Sequence, residues 1–249
     1  MKEDKYLRFN KVDDNTTELF IYGDIRKKDW IDNWLGDDPG RTGALDLASA
    51  LAQVDTPTLV VRINSYGGSV SEGLAIYSLL SDFSGEVITK VDGFACSAAS
   101  VIFMAGKKRI VPESGLLMIH NAWSSAKGDY NALAKAAEDL KKITQPSVDI
   151  YVSKTNLSEE QICEMMDREE WITSKEAFDY GFSTSLEKND ARQSIESDYL
   201  VNLVNSHKEL QKENKLLRLE KEDLQNQLSN QTVKEEQKND PWGSYFNKK

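Results

Sequence analysis

Over the first 190 residues, short apolar runs alternate with stretches whose apolar positions recur every three or four residues. Leu19-Phe20-Ile21-Tyr22 and Leu59-Val60-Val61-Arg62-Ile63 are too short for helices and rich in β-branched and aromatic residues, so both predict strands. Between them, residues 43–54 show helical spacing (Leu45, Ala48, Leu51) until Pro57 stops it. After a turn at Ser65-Tyr66-Gly67-Gly68, residues 71–83 put Leu74, Tyr77 and Leu80 on one helical face. The pattern then repeats: Val87-Ile88-Thr89-Lys90-Val91 as a strand, Asp92-Gly93 as a turn, and residues 97–104 as a helix of small and apolar residues. Ile110-Val111 and Leu116-Leu117-Met118-Ile119 predict two more strands. Residues 130–152 predict a long helix with Leu133, Ala136, Leu140 and Ile143 on its apolar face, kinked or broken at Pro146. A shorter helix follows over 157–166, with Ser158 as its cap ahead of Glu159-Glu160. Strands and helices alternating at this spacing predict right-handed βαβ units on a buried, largely parallel sheet, an α/β fold.

The pattern changes at Lys188-Asn189-Asp190, where we place a domain boundary. Residues 200–240 are rich in Leu, Lys, Glu, Gln and Asn and contain no glycine. Leu203, Leu210, Leu217 and Leu224 recur every seven residues, the spacing of d positions in a coiled coil. The matching a positions are Leu200, His207, Asn214, Lys221 and Leu228, three of them polar, which lowers stability while helping to fix register. The expected organisation is a globular domain over 1–190, a helical coiled-coil segment over 191–232 and a polar tail over 233–249 with Trp242, Tyr245 and Phe246 near its end. A solvated helix that associates weakly is the alternative for the second segment. The tail reads as a docking peptide or simply a solvated end.

Composition removes several function classes. A formal net charge of −10 repels nucleic-acid phosphates, so nucleic acid is not an expected partner. No apolar run approaches the roughly 20 residues needed to cross a bilayer, so no membrane association is expected. The first residues, Met1-Lys2-Glu3-Asp4-Lys5, lack the apolar core of a secretory signal, and the protein is expected to stay where it is made. The two cysteines, Cys96 and Cys163, stand far apart without a paired motif, which argues against a disulfide framework or a zinc site. No metal and no cofactor are expected.

Only two histidines are available to polar chemistry, and His207 lies in the polar C-terminal segment. His120 ends an apolar strand and begins a polar loop, where functional groups gather in α/β folds. By position alone a lone histidine is more often structural than a catalytic base. Ser97 follows the small-residue stretch Gly93-Phe94-Ala95-Cys96 and opens a helix at Ala98-Ala99-Ser100. A hydroxyl at a strand-to-helix turn is held outward beside unpaired backbone N–H groups that can stabilise an oxyanion. Ser97 could equally be a helix cap. Cys96 beside it reads as a packing residue rather than a reactive thiol. The paired glycines Gly67-Gly68 expose backbone N–H groups that fit half of an oxyanion hole, an anion nest or a plain tight turn.

Together these segments resemble a known family. Residues 64–77, Asn64-Ser65-Tyr66-Gly67-Gly68 onward, resemble the glycine-loop motif of the Clp protease proteolytic subunit family. Gly93-Phe94-Ala95-Cys96-Ser97-Ala98-Ala99-Ser100 resembles its nucleophile motif, Met118-Ile119-His120-Asn121 its histidine motif, and Trp171 to Gly181 the stretch after its acidic residue. The motifs stand in family order over roughly residues 15–187. Ala99-Ser100, His120-Asn121-Ala122-Trp123 and Glu169-Glu170-Trp171 are most similar to the Clp-like head maturation (prohead) proteases of tailed bacteriophages.

The resemblance implies an α/β spiral of ββα units of the Clp protease and crotonase type, here carrying a C-terminal helical, coiled-coil extension. It implies a serine endopeptidase with Ser97 as nucleophile, His120 as base, and Gly68 and Ala98 as oxyanion donors. Glu169 completes the triad, with Asp167 as second choice and Glu170 close enough to compete. Implied substrates are phage scaffold and capsid proteins, processed in the host bacterial cytoplasm within an assembling procapsid. A homo-oligomer, possibly ring-shaped, and a coiled-coil partner are also implied. Three alternatives stay open: a housekeeping Clp peptidase working with an ATP-driven unfoldase, an acyl-CoA enzyme on the crotonase-type spiral, and a catalytically inactive structural or scaffold protein. The family's N-terminal segment that contacts an unfoldase ring is not recognisable in residues 1–18, and a loop around Trp30, Trp34 and Asp37-Asp38-Pro39 is unexpected.

Overall fold

Along Thr16–Ile25 (β2) and Thr58–Gly68 (β4), side chains alternate between buried and solvent-facing positions. That period of two assigns Leu19, Ile21, Leu59, Val61 and Ile63 to one face, where all are fully buried. In this computed structural model, which describes residues 7–27 and 41–187, those strands form the middle of a mixed nine-stranded sheet. Leu7–Lys11 (β1) runs antiparallel to β2, and the short Arg41–Thr42 (β3) pairs parallel with the end of β2. Parallel pairing then runs from β2 to β4, to Glu86–Cys96 (β5), to Lys108–Pro112 (β6) and to Ser185–Glu187 (β9).

Halfway along, β5 changes neighbours. Residues 88–90 pair with β6, whereas residues 94–96 pair with Leu116–Ile119 (β7), which in turn pairs antiparallel with Glu170–Thr173 (β8). At the last third of β5, β7 and β8 thus take the place of β6 within the same sheet.

Helices cover the buried face. Ala44–Leu51 (α1), Val70–Ser81 (α2) and Ala98–Phe103 (α3) follow their strands directly. Every residue of α3 is buried. Tyr130–Lys154 (α4), Glu159–Asp167 (α5) and Ser174–Asp179 (α6) complete the layer. Ser158 and Thr173 each head a reciprocal capping box, which fixes the starts of α5 and α6. The core gathers Ile76, Leu80, Phe103, Tyr151 and Phe182 over the sheet; each such burial is worth about 1.5–3 kcal/mol.

Several sequence expectations change. The stretch 65–68 is the end of β4 rather than a separate turn, and Asp92-Gly93 lies inside β5. A register shift between Ile63 and Ser65 absorbs the irregularity that the glycines signalled. In the middle of the sheet the second face carries polar residues, where Arg62 ion-pairs with Asp92 (2.7 Å) and Glu18 (3.2 Å), whereas β6 and the end of β5 are buried on both faces. In α1 the buried leucine is Leu47, and Leu45 is 76% exposed. Helix α4 continues through Pro146, whose position is exposed, so the carbonyl that loses its partner can turn to water. Only its second half packs, through Thr144, Ser147, Val148 and Tyr151; Leu133 and Ile143 are exposed. The expected coiled coil over 191–232, with His207, the tail over 233–249, and the loop around Trp30 and Trp34 lie outside the described residues. Among the described residues no helix is long and apolar enough to cross a membrane.

Candidate active site

Where β5 ends and α3 begins, Ser97 takes φ 54° and ψ −126°. Side chains rarely adopt such a backbone, and holding it costs of order 1–3 kcal/mol. Among the described residues only two non-glycine positions have positive φ, Ser97 and Glu169, and both were singled out from sequence. The Ser97 N–H donates to the Met118 carbonyl of β7 (2.8 Å).

The glycine loop makes room for this bend. A Cβ on Gly67 (φ 95°) would lie 2.5 Å from the Cys96 carbonyl oxygen and 2.7 Å from the Ser97 Cβ. A Cβ on Gly68 would strike the Ile25 carbonyl oxygen at 2.2 Å. Glycine is thus required at 67 by the nucleophile turn and at 68 by β2. The polar residues before them are ties, a role the sequence did not announce. Asn64 Oδ1 accepts from the Phe94 N–H (3.2 Å), filling the place where the β4–β5 ladder slips. Ser65 Oγ donates to the Gly23 carbonyl (2.5 Å) and accepts from the Gly67 N–H (3.0 Å).

His120 stands just beyond β7, and its Nε2 lies 2.8 Å from Ser97 Oγ. The Ser97 side chain makes no capping hydrogen bond to α3, so the helix-cap alternative does not describe it. Burial holds the His120 imidazole below its ordinary value, and the charge of Glu169 opposes that shift. The loop after His120 is tied to the helices on both sides. Thr144 Oγ1 accepts from the Ala122 N–H (3.1 Å), and Asn121 Nδ2 donates to Asp167 (2.7 Å).

The three neighbouring carboxylates have different partners. Asp167 is engaged with Asn121, Glu170 with Arg168 (3.2 Å), and Glu169 faces His120 through its charge rather than through a hydrogen bond. Cys96 is fully buried, and burial pushes its thiol up to about 12, which fits packing and not reactivity. Ala98 begins α3 beside the serine, where a first-turn N–H has no intrahelical partner. The Gly67 N–H is taken by Ser65, so Gly68 is the glycine-loop donor to consider. A small open cleft lies beside the Ser97–His120 pair. Val70, Val101 and Met166 give it an apolar wall, and Thr144, Ser147 and Tyr151 of α4 a hydroxyl-bearing one. Chemically, the arrangement offers a hydroxyl, a neutral base within proton-transfer reach and a strand-to-helix turn beside an open cleft.

The Clp protease family model matches residues 46–189 of the chain. ATP-dependent Clp protease proteolytic subunit 3 of Rhodococcus jostii is 38% identical over 125 residues, covering 49% of this chain and 62% of that protein. Subunit 2 of Tropheryma whipplei is 31% identical over 159 residues, 60% of this chain and 86% of that one. The chain spans less than two thirds of the length of the Rhodococcus relative and 59% of one from Bacteroides fragilis. A solved structure of a ClpP1 mutant from Listeria monocytogenes superposes with a TM-score of 0.56 at 24% identity, covering 70% of this chain and 92% of that one, a likeness of fold.

Proposed function

The chain belongs to the Clp protease family, and from that premise we propose that it is a serine endopeptidase that cleaves protein substrates through Ser97 and His120. The observation that carries the reading is the 2.8 Å contact between Ser97 Oγ and His120 Nε2 at a backbone bend that holds the hydroxyl off the helix. In the proposed mechanism His120 takes the Ser97 proton as the oxygen attacks a peptide carbonyl. The carbonyl oxygen becomes negative between the Gly68 and Ala98 N–H groups. His120 then protonates the leaving amine, and water, activated by the same imidazole, releases the acyl group. Glu169 supports the imidazolium through its charge; Asp167 is the second choice.

The substrates proposed are scaffold and capsid polypeptides of an assembling tailed-phage head, acted on by a homo-oligomer in the host cytoplasm. The residue-level resemblance at 99–100, 120–123 and 169–171 supports this. A housekeeping role with an ATP-driven unfoldase is the second reading, supported by relatives named ATP-dependent Clp protease proteolytic subunits. One experiment tests both. Wild type and Ser97→Ala are incubated with capsid and scaffold proteins, with and without an unfoldase ring and ATP, and the products are identified by mass spectrometry. Defined cleavages without ATP that vanish in Ser97→Ala are expected. Cleavage only with unfoldase and ATP selects the second reading, and equal cleavage by Ser97→Ala overturns the peptidase assignment.

A further inference from the structure

The backbone of Ser97 is held from two sides. Its N–H is fixed by Met118, and its carbonyl accepts from the backbone N–H groups of Ser100 (2.9 Å) and Val101 (3.3 Å) and, closest of all, from the Ser100 hydroxyl (2.6 Å). Ser100 is fully buried, and its Oγ lies 2.8 Å from the Tyr151 hydroxyl. A serine has one hydroxyl proton. A carbonyl cannot donate, so that proton belongs to the 2.6 Å contact, and Tyr151 must be the donor in the 2.8 Å one. Burial pushes the Tyr151 phenol up, which keeps its proton on. Tyr151 itself is fixed: it is 2% exposed, rises from the packed half of α4, and its ring lies 5.8 Å from that of Phe182.

A serine in a helix commonly bonds the carbonyl a turn back, and alone that would be local chemistry. Two features make it more here. The carbonyl belongs to a residue whose conformation must be over-determined to persist. On the opposite side, Gly67 only leaves space for the bend and cannot hold it, since it has no side chain. Besides the Met118 bond from β7, the side-chain hold on the bend comes from the helix side, through the Ser100 hydroxyl.

Resting on the serine-peptidase reading, we propose that Ser100 and Tyr151 are positioning residues. A relay of two hydrogen bonds, Tyr151 to Ser100 to the Ser97 carbonyl, locks the backbone bend that aims the Ser97 hydroxyl at His120. The phenol also polarises the Ser100 hydroxyl and strengthens the bond it donates.

Diisopropyl fluorophosphate tests this on the full-length chain without needing the natural substrate. Ser97 Oγ bonds to phosphorus, fluoride leaves, and the serine proton passes to His120. The readouts are the inactivation rate constant, the reagent's apparent KI, and the final fraction of Ser97 modified, by mass spectrometry. Ser100→Ala is expected to slow inactivation about a hundredfold and Tyr151→Phe about tenfold, both with unchanged KI and complete final modification. The double variant should match Ser100→Ala rather than multiply the losses, because both act through one carbonyl. Ser100→Thr, which keeps the hydroxyl, should return the rate to within about threefold of wild type.

A merely structural role would lower the melting temperature and the modifiable fraction while leaving the rate of modified sites intact. That pattern overturns the relay, as does a Tyr151→Phe rate within about twofold of wild type or a multiplicative double variant. Should Ser100→Ala fail to fold, Tyr151→Phe and Ser100→Thr decide. If wild-type Ser97 is not modified at all, the peptidase reading falls and the relay with it; a modified wild type with an unaffected Tyr151→Phe removes the relay alone.

Discussion

A general base must arrive without its proton, and the surroundings of His120 arrange this by removing water from the ring. Because burial holds the imidazole below its ordinary value of 6.5, the base stays neutral as pH falls through that value. The acid limb of kcat/KM for peptide hydrolysis is therefore expected below pH 6.5. Glu169 raises the ring's affinity for its proton, so Glu169→Gln should move that limb lower still. The same substitution should cut kcat about tenfold, far less than the roughly 10⁴-fold cost of neutralising a hydrogen-bonded triad carboxylate. Pre-steady-state rates across pH check both effects, and a larger shift in Asp167→Asn would transfer the role to Asp167. Gly67→Ala is expected to lower kcat more than a hundredfold, because its Cβ has no room beside Cys96 and Ser97. At this scale the sequence singled out the residues around 97 and 120 by their small neighbours and strand-end positions. It could not separate a nucleophile from a helix cap at Ser97, because both need a hydroxyl at one place; only the hydroxyl's direction distinguishes them. Ser100 and Tyr151 are 51 positions apart, and nothing local in either segment pairs them.

The elements themselves were largely readable, because β-branched runs and three-to-four spacing report burial directly. Glycine and proline need not end an element. Gly67, Gly68 and Gly93 sit inside strands where close approach or a slipped register needs them, and Pro146 sits on a helix face that water reaches. In α1 eight residues make too few turns for spacing to fix the buried face, and Leu47 rather than Leu45 is buried. One packing device escaped sequence reading altogether. Arg109, buried in β6, donates to the carbonyls of Phe182 (2.6 Å), Gly181 (3.0 Å), Gly106 (3.1 Å) and Lys154 (3.1 Å), with no carboxylate among these partners. It joins β6 to the end of α4 and to the turn before β9. Arg109→Met should lower unfolding stability by about 3 kcal/mol through stranded carbonyls. Arg109→Lys should recover little, since an ammonium cannot spread its donors over four sites. Urea midpoints at constant m value check this.

Over the whole molecule, four motifs scattered from residue 64 to residue 181 meet because their strands are neighbours: β4 pairs with β5, β5 with β7, and β7 with β8. Their order was legible, whereas their convergence belongs to the sheet topology. The heptad leucines over 203–224 make a separate expectation. A chain ending at residue 190 should keep its peptidase rate per site within about twofold but lose entry into proheads, if the coiled coil tethers it to scaffold. Normal packaging of the shortened chain would remove that role. Strand β7 carries a last consequence. Its Met118 carbonyl grips the amide of Ser97, and two residues on it delivers the imidazole. The proposed nucleophile and base are thus anchored to one internal strand, itself paired on both sides by β5 and β8. Their 2.8 Å contact is therefore bridged by a single strand rather than by two elements free to drift apart.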